Sequence, residues 1–131
     1  MRLQRLCNSG LRYIYGIRKD EYITPFRRKL GWLCTDSRRH YFLAIIIYKI
    51  LRLHQPSYLS ESFTKYIPKE NARGTLRSKE ITIPNIKNCG TNTFRYRGAR
   101  LWNSLPAEIR FLPSLNSFKT AMHKHLLTLD P

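Results

Sequence analysis

The feature that most limits the fold is an unbroken apolar run, YFLAIIIY over Tyr41–Tyr48, set between Arg38–Arg39 and Lys49. A half-buried strand would alternate apolar and polar residues, and a surface helix would show one apolar stripe. This run is apolar in every direction, so it belongs at the centre of something. Its eight residues fall far short of the about 20 needed to span a bilayer. The pattern predicts a helix over about 36–53, with Ile45, Ile46, Ile47, Ile50 and Leu51 in the core on both sides. Thr35 or Asp36 is placed to cap it, and Asp36 also complements the positive end of its dipole. The first and last helices of the chain are expected to cover it.

The N-terminal cover reads as a helix over 2–15. Leu3, Leu6, Cys7, Leu11 and Ile14 share one side, Arg2, Arg5 and Arg12 gather on another, and Gly16 is a stop. Thr24 before Pro25 signals a short second helix, Thr24 capping and Pro25 in the first turn. It carries Arg27, Arg28 and Lys29 and closes at Gly31; Trp32 and Leu33 then fold back as an apolar clasp. The C-terminal cover is RLWNSLPAEIRFLPSLNSFK over 100–119. Pro106 breaks the helix that ends near Ser104, a short turn follows, and Pro113–Ser114 opens a last helix towards Leu129. Leu115, Phe118, Met122, Leu126 and Leu129 form its apolar stripe, while Lys119, His123 and Lys124 face away. Trp32, Trp102, Pro106 and Phe118 are the expected structural anchors.

Between these blocks, PSYLSESF should lay Tyr58, Leu59 and Phe63 on the core. Residues 64–93 turn to Pro, Gly, Asn, Lys and Arg, with Arg73, Arg77 and Lys79 making the stretch basic. Ile81 and Ile83 alternate with Thr82, and Phe94 and Tyr96 with Arg95 and Arg97, which leaves a short β-ribbon open as an option. The expected fold is therefore mainly α, a small helical module with a long basic loop. It forms one domain overall: a helical block over 1–55, the basic loop with its weak strand over 56–93, and a helical block over 94–131 packing on 36–53.

Charge limits function as the apolar run limits fold. The 131 residues hold 24 Lys and Arg against 8 Asp and Glu, a net charge of +16. Such an imbalance repels itself in a compact state and points to a polyanionic partner, nucleic acid first. An anionic membrane surface is the competing reading, and an exposed basic face without function the plain one. Candidate phosphate contacts are Arg2, Arg5 and Arg12, then Arg27, Arg28 and Lys29, and Arg38 and Arg39 at the start of the central helix. Arg73, Arg77, Arg95 and Arg97 complete the set, with neighbouring aromatics available to stack on bases. The backbone N–H groups of the first turn near Ser37–His40 offer a further phosphate position.

Catalytic chemistry is missing from the pattern. The aspartates Asp20, Asp36 and Asp130 stand apart, whereas polymerase and nuclease chemistry gathers carboxylates on two metal ions about 4 Å apart. Cys7, Cys34 and Cys89 make no CxxC pair, and His40, His54, His123 and His125 make no zinc set. No enzyme activity, metal or cofactor is expected of this chain. The cysteine usage implies a reducing, intracellular setting, and the basic opening MRLQRLCNSGLRY has no secretory core.

Several ordered blocks carry a family resemblance: QRLCNSGLRYIYG, Thr24-Pro25 with RRKLGWL, RRHYFLAIIIYKIL, PSYL, and RLWNSLPAEIRFLPSLNSFK. In this order they cover nearly the whole chain, which resembles the far C-terminal region of jockey-type non-LTR retrotransposon reverse transcriptases. The resemblance implies a thumb-like helical module that follows the polymerase palm and helps to hold template RNA and target DNA. RNA or DNA, and a palm domain, are its implied partners. The palm's aromatic-alanine-aspartate-aspartate motif, the endonuclease carboxylates and the cysteine-histidine knuckle are absent, so no polymerase role transfers to any residue here. The sequence looks like what an incompletely copied element would encode. Its functional classes are a nucleic-acid-binding module, a helical interaction domain, or a remnant with no selected function.

Overall fold

The computed structural model describes residues 2–63, 81–84, 90 and 93–130. Among them the helices are α1 (Arg2–Tyr15), α2 (Thr24–Lys29), α3 (Thr35–Arg52), α4 (Ser57–Ser60), α5 (Phe94–Ser104), α6 (Ala107–Arg110) and α7 (Leu115–Leu129). The fold is mainly α. The loop expectations at Arg73, Arg77 and Lys79 lie outside the described residues.

α3 is the axis. It buries Ala44, Ile45, Ile47, Tyr48 and Ile50 against α5 and α7. Tyr48 stacks on Phe118 at 4.5 Å, and Trp102 of α5 closes the cluster at 5.8 Å from Phe118. Such ring pairs add about 0.5–1.5 kcal/mol beyond their buried area. The Tyr48 hydroxyl donates to the Leu112 carbonyl at 2.8 Å, which satisfies its one polar atom inside the core. α7 runs antiparallel to α3: Leu112 lies by Tyr48 near one end, and Asp130 meets Cys34 at the other. Trp102 and Phe118 are fully buried, whereas Trp32 is 40% exposed.

The apolar run is more one-sided than its sequence. Ile46 is 43% exposed: α3 is covered mainly by α5 and α7, with a smaller contribution from α4, and Ile46 lies away from them. α1 packs on α2 through Tyr15 and Phe26 rings at 5.2 Å, and its Gln4 reaches the first turn of α3. Gly16, at φ +61°, ends α1 in the left-handed conformation that glycine adopts without strain.

Capping differs in detail from expectation. Cys34, not Thr35 or Asp36, caps α3, its Sγ accepting from Ser37 N at 3.5 Å. Ile23 precedes α2, so Thr24 lies within the helix instead of capping it. Ser114 caps α7 as expected, accepting from Ser117 N at 3.1 Å. The break at Pro106 is also present: Leu105 is extended and buried, and Pro106 leads into α6.

Phe94–Arg97 is helix, not strand. Thr93 Oγ1 accepts from Tyr96 N at 3.4 Å, and the turn continues into Gly98, Ala99 and Trp102, the buried face of α5. Among the described residues there is no sheet. Ile81 is held instead by the Asn103 side-chain amide, which accepts from its N–H at 3.1 Å and donates to its carbonyl at 2.8 Å. Phe63 is buried edge-on to Phe94 at 5.8 Å, but Tyr58 points to solvent. Leu129 is likewise exposed, one residue short of the turn that buries Asp130.

Candidate nucleic-acid interface

Four elements converge where α3 begins, and a buried carboxylate joins them. Asp130, just past α7, accepts from Cys34 N at 2.7 Å and lies 3.6 Å from the Arg27 guanidinium; its side chain is 2% exposed. Arg28 Nη2 donates to the Asp130 carbonyl at 3.2 Å. The carboxylate thus sits between the positive end of α3 and a cation, and Arg28 meets the negative end of α7. From α1, Gln4 Oε1 accepts both Thr35 N at 2.8 Å and Thr35 Oγ1 at 2.9 Å.

This junction gathers cations at one end of the molecule. Arg2 and Arg5 flank Gln4, Arg28 and Lys29 end α2, and Arg38 and Arg39 lie on the first turns of α3; all are exposed. Among the described residues, the carboxylates placed there are Asp130, engaged internally, and Asp36, which holds Arg39 at 3.2 Å on the surface. An exposed pair of that kind is worth little and leaves Arg39 able to exchange partners. The pole is therefore a positive surface on a base tied together by hydrogen bonds and one buried ion pair.

Other expected contacts are engaged elsewhere. Arg12 donates to the carbonyls of Arg18 and Glu21, closing the loop between α1 and α2. Arg27 is the structural partner of Asp130. Arg95 and Arg97 are exposed on α5, which meets α3 at Ile47, well along from the pole. The phosphate position at the start of α3 is altered too. Thr35 N–H is given to Gln4 and Ser37 N–H to Cys34, so two of the donors that an anion would use are already engaged.

Arginine inside the fold was not legible in the sequence. Arg110 is buried, and Arg52 reaches the Arg110 carbonyl at 3.2 Å while lying 5.1 Å from the Phe111 ring and 5.8 Å from that of Trp102. No local pattern separates these two from surface arginines. Among the described residues, no three His, Cys, Asp or Glu side chains come together as a metal site, and no helix is long and apolar enough to cross a membrane.

Comparison with protein-family models, curated proteins and solved structures returned no match.

Proposed function

We propose that the chain binds the phosphate backbone of RNA or DNA through the basic pole, as a helical module resembling the post-palm region of jockey-type reverse transcriptases. In this reading it contributes grip and no polymerase chemistry. The observation that carries it is the convergence of Arg2, Arg5, Arg28, Lys29, Arg38 and Arg39 on a base fixed by Asp130. Phosphate contacts of this type release counterions, so affinity falls steeply with salt.

The test is a titration against single-stranded RNA, duplex DNA and heparin at about 50 and 200 mM salt. The parent should prefer nucleic acid to heparin. Arg5→Gln, Arg38→Gln and Arg39→Gln combined should flatten the salt dependence by about one unit of slope per contact removed. Arg27 is left intact because it supports the fold. Equal weak binding to all three polyanions, unchanged in the variant, would count against the proposal.

A second reading has its own observation. Leu3, Leu6 and Ile14 leave an apolar face of α1 at the surface, as a helical interaction domain that packs on a palm-like partner would. That reading, or the remnant, is preferred if the arginine variants bind as the parent does.

A further inference from the structure

Beside the pole is a surface that charge alone does not single out. The rings of Phe42, Tyr41 and His123 run in series from α3 onto α7. Tyr41 meets Phe42 edge-on at 5.5 Å and His123 edge-on at 6.0 Å. The helical period explains the placement. Tyr41 lies two turns before Tyr48 on the side of α3 that faces α7, and Phe42 lies next to it on the solvent side at 55% exposure. Tyr41 and His123 wall a shallow depression of about 290 Å³, completed by Lys119, Thr120 and Lys124. The turn before α3 borders it, since a Cβ on Gly31 would lie 3.8 Å from His123 Cε1.

The lining has a definite chemistry: two aromatic rings, a hydroxyl and two ammonium groups, with no carboxylate. It suits a planar group that carries negative charge beside it. Ring faces stack on any base, and lysines hold the adjoining phosphates. Bases in a duplex are already stacked on each other, so a platform of this kind is reached only by unpaired ones.

We propose that the Phe42–Tyr41–His123 surface is a stacking platform for unpaired bases, with Lys119 and Lys124 on the neighbouring phosphates, and that it biases the chain towards single strands. The proposal rests on the nucleic-acid reading above and names the form of nucleic acid taken.

The experiment compares a fluorescent single-stranded oligonucleotide with its blunt duplex, at one salt concentration, on the full chain. The parent should bind the single strand more tightly. Phe42→Ser, and separately Tyr41→Leu with His123→Ala, should each lower single-strand affinity about tenfold while leaving duplex affinity unchanged. Phe42 faces solvent, so its variant keeps the test valid even if the change at Tyr41 loosens the seam between α3 and α7. Equal parent affinities for the two forms, or equal losses on both, would overturn the platform while leaving the basic pole standing. Binding to neither form would remove both proposals.

Discussion

At the residue scale, Gly98 marks how closely α5 approaches α3. A Cβ there would lie 2.7 Å from Ile47 Cδ1 and 3.5 Å from Phe63 Cε1, and both neighbours are buried. Alanine is the better helix former by about 1 kcal/mol, but overpacking a filled core costs about 1–3 kcal/mol. Gly98→Ala should therefore destabilise the chain. Gly10, within α1, is the control: nothing lies within 4 Å of its Cβ position, so Gly10→Ala should stabilise by about 0.5–1 kcal/mol. Urea unfolding of the two variants checks the pair of signs, and a stabilised Gly98→Ala would mean that the α3–α5 seam is looser than described. The arginines carry the same lesson. Arg12, Arg27, Arg52 and Arg110 serve the fold, which no count of basic residues reveals. Arg27 meets Asp130 across almost the whole chain, a pairing with no local signature.

At the scale of elements, the legible parts were those with long periods or firm punctuation. The α3 run, the Pro106 break and the Ser114 cap all act through neighbours in sequence. α5 was misread because Phe94–Arg97 alternates over only four residues, too few to separate a period of 2 from one of 3.6. What decides it is the buried set Gly98, Ala99 and Trp102 further along. α1 shows the opposite failure. Its strong apolar side of Leu3, Leu6 and Ile14 implies a buried face, yet the helix docks through Gln4, Leu11 and Tyr15. Two substitutions separate these orientations. Leu11→Ala, at a residue 1% exposed, should cost about 2 kcal/mol or more, whereas Leu6→Gln at 68% exposure should stay within about 0.5 kcal/mol. Chemical denaturation reads both, and the reverse order would mean that α1 is rotated to bury its leucine side.

For the whole molecule, the basic excess acts on stability and binding with opposite salt dependence. The net charge of +16 makes the folded chain repel itself, most of all at the pole, where exposed arginines stand on a base that salt does not loosen. The Arg27–Asp130 contact is screened little because it is buried, while the surface cations lie within reach of counterions. Raising salt from about 10 to 150 mM shortens the screening length from about 30 to 8 Å, so repulsion should weaken. The expected outcome is a rise in Tm of about 3–6 °C over that interval, equivalent to about 1 kcal/mol for a chain of this size. The triple variant Arg5→Gln, Arg38→Gln, Arg39→Gln should start from a higher Tm at low salt and respond less. A single-stranded oligonucleotide added at low salt should raise the parent's Tm as well, because ligand binding and neutralisation of the pole then act together. The two effects separate at high salt, where Tm stays high while the oligonucleotide no longer adds to it. A Tm that is flat or falls with salt would mean that the exposed cations are already balanced by partners on the chain. The pole would then be a set of local pairs, not a field able to hold a polyanion.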